Sequence, residues 1–338
     1  MKSIAAGQPR LASAGSVRWP SRRTAEWSAG WLTALFWLAG RARWIARRLR
    51  HPVTWLVPRC SSAVRHAAFA NARRILGPDV SPRQCMRFAQ AVVARFYDFV
   101  LDIAASARQT PSQLRQRIDS IEGREAYLAR RRSGGGAVIV TAHMGSFELG
   151  LAALAQIEPH IHVVFKRDPF GGFEQMRQQL RDVLGVHEVA IDDGWHSWLK
   201  LRDALRENQV VVLQADRALP GQKALDVPML HGHLRLPLGP LKLAQIAASP
   251  VFPVFTICTT PGRCRLFIEP PIEVTAEDQI APAMQRIAQT LAKFIRQYPD
   301  QWLVLWPSFV EDAPGFSDGT DSVSPEAQSW PQDRSCTR

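Results

Sequence analysis

Residues 134–150 read Gly-Gly-Gly-Ala-Val-Ile-Val-Thr-Ala-His-Met-Gly-Ser-Phe-Glu-Leu-Gly, and they constrain this chain more than any other stretch. Three glycines run into an apolar segment rich in β-branched residues, which predicts a short strand buried on both faces. The run stops at His143, and a carboxylate, Glu148, follows five positions later. Leu149, Leu151, Leu154 and Ile157 then recur at helical spacing, so a helix is expected from about Ser146, a good N-cap residue. That order puts His143 at the carboxyl end of a strand, where open α/β sheets form their ligand crevice. Glu148 would fall in the first helical turn, within reach of an imidazole. A proton acceptor held by a carboxylate beside helix-terminal N–H groups suits acyl transfer. On these two residues alone, a histidine that merely ends a strand is an equal reading.

Charge narrows the partners. The 338 residues carry a formal charge of +12, but residues 1–78 hold 14 Lys/Arg against one acid, Glu26, while the remainder is close to neutral. Basicity confined to one end argues for a local anionic partner and against a broad nucleic-acid-binding face. Trp19, Trp27, Trp31, Trp37, Trp44 and Trp55 are mixed among those arginines, a composition typical of a membrane interface. No RNA-binding motif accompanies them, and no nucleic-acid partner is expected. The five cysteines are scattered, without a Cys-x-x-Cys pair, which fits free thiols in a reducing compartment.

Residues 1–24 read as a disordered basic arm. Residues 27–40 are apolar on every helical face but shorter than the roughly 20 residues that span a bilayer. Arginines 41, 43, 47, 48 and 50 follow, so residues 25–60 are expected to form an interfacial anchor helix, with a short span or a helix packed on the body as alternatives. Ser81-Pro82 opens an amphipathic helix with Met86, Ala89, Val93, Phe96, Val100 and Ile103 along one stripe. Beyond residue 137, strands at 161–165, 187–191, 209–215 and 251–258 alternate with helices at 172–184, 195–206, 239–248 and 281–296. Residues 251–258 and 264–269 read as a hairpin. The fold class expected is α/β, a mainly parallel sheet flanked by helices with an antiparallel edge. Residues 312–338 read as a disordered tail, which leaves 61–311 as one catalytic domain.

Other pairs could serve the same crevice. Lys166-Arg167 follows a strand and could bind phosphate, although a solvated loop pair is as good a reading. Asp216-Arg217 ends another strand and could equally be a surface ion pair. His231 and His233 could form a metal half-site with His143, Glu148 and Asp216, but no spacing fixes them, and no metal is expected. No Gly-x-Ser-x-Gly elbow, dinucleotide fingerprint or phosphate loop is present.

Several of these pieces occur in one order. His143-Met144-Gly145-Ser146-Phe147-Glu148, Lys166-Arg167, Arg181 with Gly185, Leu213-Gln214-Ala215-Asp216-Arg217, Val227-Pro228 through His231-Gly232, Leu236-Pro237-Leu238-Gly239 and Gln301-Trp302 with Trp306 follow one another. This series resembles the lipid A late acyltransferases, a branch of the lysophospholipid acyltransferase superfamily, over roughly residues 25–310. Two departures stand out: Leu230-His231 replaces the family's aromatic pair before Gly232, and the Phe-Pro-Glu-Gly-Thr-Arg segment of the glycerolipid acyltransferases is absent.

The resemblance implies transfer of a fatty acyl group from a thioester of acyl carrier protein or coenzyme A to a hydroxyl of a glycolipid or other envelope lipid, with no further cofactor. It implies His143 as base and Glu148 as its carboxylate, with Lys166, Arg167, Arg181, Asp216, Arg217 and Gly239 binding substrate. The backbone N–H of Ser146, at the expected helix start, is a candidate oxyanion donor. Membrane lipids would be partners, at the cytoplasmic face of a bacterial inner membrane. A lipid-binding protein without activity and a metal-dependent hydrolase are the rival readings.

Overall fold

The structure, a computed structural model, describes residues 42–167, 171–219 and 221–310. The basic arm, the apolar segment 27–40 and the C-terminal tail expected from sequence lie outside the described residues.

The chain opens with three helices, α1 (Arg43–Cys60), α2 (Ser62–Leu76) and α3 (Pro82–Ser106). Each of the last two starts at a serine that caps it: Ser61 accepts from the Val64 N–H, and Ser81 forms a reciprocal capping box with Gln84. Along α3, Ala89, Val93, Val100 and Ile103 are buried as the apolar stripe requires. Phe96 of the same stripe faces a cavity instead. Helix α1 packs on α3 through one face. Ala46 is fully buried, the Tyr97 hydroxyl donates to the Ala46 carbonyl at 2.5 Å, and Arg50 holds Asp98 through two contacts of 2.6 Å. The other face leaves Trp44, Leu49, Trp55 and Leu56 exposed. From residue 43 onward, then, the expected anchor is a helix docked on the body. No helix among the described residues is long and apolar enough to cross a membrane.

A short helix α4 (Pro111–Arg115) leads into the sheet and its covering helices. In chain order these are β1 (Ile118–Glu122), α5 (Arg124–Arg132), β2 (Ala137–Thr141), α6 (Phe147–Leu154), β3 (Ile161–Phe165), α7 (Gly171–Leu184), β4 (His187–Ala190), α8 (Trp195–Arg206) and β5 (Val210–Gln214). After a two-stranded hairpin, β6 (Ala224–Met229) and β7 (Gly232–Pro237), come α9 (Gly239–Ala247), β8 (Val251–Thr260), β9 (Arg263–Ile268) and α10 (Ile280–Gln297). The seven-stranded sheet has the order β1-β9-β8-β2-β5-β3-β4. Strands β8, β2, β5, β3 and β4 are mutually parallel, and β9 turns back against β8 with β1 beside it. This is the mainly parallel sheet with an antiparallel edge. Cys258 and Cys264 are paired across the β8–β9 hairpin, and both are free thiols.

Strand β2 lies at the centre. Val138 and Val140 enter one core, with α10 and α9, while Ala137 and Ile139 enter the other, with α5 and α6. A strand covered on both faces can be apolar throughout, which is why residues 137–140 carry no polar side chain. Two features were not legible beforehand: residues 118–122 form a strand, and 224–237 form a hairpin beside the sheet.

Two close backbone approaches, one before β2 and one in the turn after it, set the strand in place. Gly136 lies against Leu205, whose Cα would sit 2.6 Å from an added Cβ. Gly145 has φ +57°, and a Cβ there would run into the Thr256 carbonyl of β8. Gly145→Ala combines a left-handed strain with a backbone clash and should destabilise the fold by about 2 kcal/mol or more. Thermal unfolding checks this; an unchanged Tm would mean that the turn does not hold the geometry described.

Candidate active site

His143 stands two residues past the carboxyl end of β2. Its neighbour β5 is in register, Thr141 opposite Gln214, and the Ala215 N–H donates to the Thr141 carbonyl at 2.9 Å. The same register carried two residues further brings Asp216 to His143. The Asp216 Oδ1 lies 2.9 Å from the His143 Nδ1, and its Oδ2 accepts from the His143 backbone N–H at 3.1 Å and from the Trp302 Nε1–H at 2.9 Å. Burial alone would raise this carboxyl, but the His143 ring and the hydrogen bonds from His143 and Trp302 bring it down to about 2. An ionised carboxylate only accepts, so in the neutral ring Nδ1 carries the proton and Nε2 the lone pair. The ring is 17% exposed and lines the cavity, with Phe147 and Trp306 edge-on at 5.6 and 5.7 Å between centroids.

The loop that bears His143 is fastened from below. Leu303 N–H donates to the His143 carbonyl at 2.7 Å, and Gly145 N–H donates to the Gln301 carbonyl at 2.8 Å. The Gln301 side-chain amide in turn bridges the N–H and carbonyl of Cys258 on β8. Residues 301–303 are thus a short strap that joins the His143 loop to β8 and delivers the Trp302 indole to Asp216.

Glu148 is not the carboxylate on the ring. It is buried, with Oε1 accepting from Arg177 at 2.7 Å and from Arg181 at 2.6 Å, and Oε2 accepting from Arg181 at 3.2 Å. Burial opposes its charge, yet Arg181 and Arg177 hold it below the ordinary carboxylate range. The cause is helical geometry. Helix α6 begins at Phe147, which takes the place beside His143, and Glu148 is turned about 100° further round, toward α7.

The remaining expected residues separate into two groups. Lys166, Arg217 and Gly239 line the cavity, and so does Arg177, which the sequence reading missed. Arg217 stacks over Trp306 at 4.1 Å. Gly239 leaves room for the Trp198 ring, which an added Cβ would meet at 2.7 Å. Arg167 and Arg181 do not reach the cavity. Arg167 turns outward to Asp193 at 2.8 Å, and Arg181 is 1% exposed between Glu148 and Glu188. Ser146 departs from expectation as a cap: its side chain makes no capping bond and its Oγ is buried without a partner. Burial pushes the nearby Cys258 thiol up to about 12. His231 and His233 do not join His143 and the two carboxylates, and no group of three potential metal ligands occurs among the described residues.

The cavity measures about 1910 Å³ and is walled largely by apolar side chains, including Phe96, Phe99, Phe147, Leu213, Leu243 and Leu305. That exceeds the ~300–1,000 Å³ of ordinary small-molecule sites and suits a long aliphatic chain together with a second substrate. Its charged lining is one-sided: Lys166, Arg177, Arg202, Arg217, Lys223 and Lys242 against Asp192.

A family model described as bacterial lipid A biosynthesis acyltransferase matches residues 16–310. The phosphatidylinositol mannoside acyltransferase of Mycobacterium tuberculosis strain H37Rv is 28% identical over 247 residues, covering 72% of this chain and 76% of that protein. The protein of the same name from Mycolicibacterium smegmatis is 24% identical over 246 residues, covering 72% and 78%. With the match spanning the sheet, the His143 loop and the strap at residues 301–303, the chain belongs to the bacterial lipid A biosynthesis acyltransferase family.

Proposed function

We propose that the protein transfers a fatty acyl group from a thioester, of acyl carrier protein or coenzyme A, to a hydroxyl of a glycolipid at a membrane surface, with His143 as base and Asp216 as its carboxylate. The observation that carries this is the His143–Asp216 pair at the wall of a large apolar cavity with a cationic lining. Nε2 accepts the proton of the acceptor hydroxyl as its oxygen bonds to the thioester carbonyl carbon. The tetrahedral intermediate then expels the thiolate, which takes the proton back from the imidazolium, so an ester and a free thiol leave. Asp216 stabilises the transient imidazolium and fixes its tautomer. Lys166, Arg177 and Arg217 offer positive charge for phosphate on the donor or acceptor. The curated relatives are named for acylation of a phosphatidylinositol mannoside, which supports a phosphate-bearing glycolipid as acceptor. The cytoplasmic face of a bacterial inner membrane is the location where both substrates would meet.

The two buried carboxylates should respond differently to mutation. Asp216→Asn keeps the volume but removes the charge, and should lower kcat by about 10²–10⁴-fold while the protein stays folded. Glu148→Ala leaves the buried Arg181 with Glu188 as its one remaining carboxylate and should cost about 3 kcal/mol of stability, seen as a lower Tm. A wild-type rate in Asp216→Asn, measured as ester formed from labelled thioester and lipid acceptor, would sink the assignment of the base and its partner.

Transfer is direct in this scheme, without an acyl-enzyme. Ser146 is buried and does not line the cavity, and Cys258 is held as a protonated thiol. Labelled acyl thioester incubated with enzyme alone should leave no label on the denatured protein, and Ser146→Ala should retain transfer. Stoichiometric label that disappears in Ser146→Ala would replace direct transfer by a covalent route.

A further inference from the structure

Exposed large apolar side chains are not spread evenly over the described surface. Leu56 on α1, Trp195 at the start of α8 and Ile246 near the end of α9 are 49%, 71% and 59% exposed, and all three line the cavity that holds His143. They come from three elements far apart in sequence, so no single amphipathic helix accounts for their meeting at one mouth. Trp55, next to Leu56, adds a further exposed ring at 55%. Charge at the same lining is as uneven: Arg202, Lys223 and Lys242 accompany them, and Asp192 is the one acid. Lys242 is paired with Glu277 and Arg202 with Asp203, both outside the lining.

We propose that this mouth is a membrane-docking face, in which Leu56, Trp195 and Ile246 enter the interface of an anionic bilayer while Arg202 and Lys223 lie over its headgroups. Apolar insertion together with basic side chains is the two-part signal that holds a peripheral protein on anionic lipid. Trp is well suited to the headgroup level, where an apolar ring with one polar N–H is at home. An acidic carrier protein would be drawn by the cations alone and gives no reason for three protruding apolar side chains. The inference rests on the proposed function only in that a lipid acceptor would enter the cavity straight from the bilayer. Of its three apolar residues only Leu56 falls within residues 25–60, the expected anchor; Trp195 and Ile246 belong to the body of the protein.

The test uses the full chain and vesicles of phosphatidylcholine with about one-third phosphatidylglycerol, enough anionic lipid for the surface potential to attract basic side chains. The combined variant Leu56→Ser, Trp195→Ser, Ile246→Ser should bind at least tenfold more weakly in co-sedimentation. Val183→Ser, at an exposed apolar residue on α7 that does not line the cavity, should bind as wild type does. Because other parts of the chain could hold it on vesicles, a second readout follows depth. In a Cys60→Ser, Cys336→Ser background, an environment-sensitive dye on Trp195→Cys should shift to the blue on binding and be quenched by lipid-borne nitroxide. A dye that stays in water on vesicle-bound protein would overturn the proposal. So would unchanged vesicle binding by the triple variant with loss of turnover only when acyl carrier protein is the donor, which would give the face to the carrier. Neither the sedimentation nor the dye readout needs turnover, so a wild type that transfers no acyl group would defeat the proposed function and leave the docking result standing.

Discussion

The site depends on one buried carboxylate. Asp216 is 2% exposed and takes three donors: two from His143 and one from Trp302. Those donors belong to the extension of β2 and to the strap near the C-terminus of the described chain, while Asp216 itself extends β5. One anion therefore ties together three segments that are distant in sequence. A lone buried charge would be strongly unfavourable, and removing one partner from such a cluster costs several kcal/mol. The stabilisation and the chemistry thus share a cause: the hydrogen bonds that make the charge tolerable inside the protein also fix the ring so that Nε2 is the nitrogen with the lone pair.

A second buried carboxylate, Glu148, shows what the first would be without its histidine. It too is buried, at 1% exposed, and ionised, but its counterions are the guanidinium groups of Arg177 and Arg181. Arginine remains charged at any cell pH, so this pair cannot cycle a proton. Its contribution is mechanical. It clamps α7 to the start of α6, and through Arg177 it sets one cation at the cavity wall. The two buried acids are thereby separated in role by what faces them.

This separation also marks how far the sequence could be read. The alternation of strands and helices from residue 137 onward was legible, because apolar period and turn residues are local signals; β3 and α8 have the bounds that the pattern predicts. The histidine at the end of a buried strand was legible for the same reason. Its partner was not. Glu148 was favoured because it is near in sequence, whereas proximity in a parallel sheet is set by strand order, and β5 lies between β2 and β3. Nothing local in residues 209–216 states that order. The signal was nonetheless present in Asp216 at the end of a strand: any parallel neighbour of β2 in the right register would carry its terminal acid to His143. The hairpin at residues 224–237 was hidden by its own composition, since Pro228 and Pro237 are unfavourable in a strand interior and tolerated here in a two-stranded ribbon.

Strand order also decides why the cavity opens where it does. Strands β2, β5, β3 and β4 are parallel, so their carboxyl ends lie along one rim, and each contributes to the lining: His143 after β2, Gln214 and Arg217 at β5, Phe165 and Lys166 at β3, Ile191 after β4. Because β5 is inserted between β2 and β3, the chain leaves β2 through α6 and returns two strands away, and crevices form where connections diverge in this way. Helices α1, α8 and α9 then wall the opening without closing it. The crevice at the strand ends holds the His143 ring through backbone and carboxylate hydrogen bonds, and loosely apposed helices leave the apolar volume beside it. The proposed reaction asks for both, a ring kept in one orientation and room for a flexible aliphatic chain.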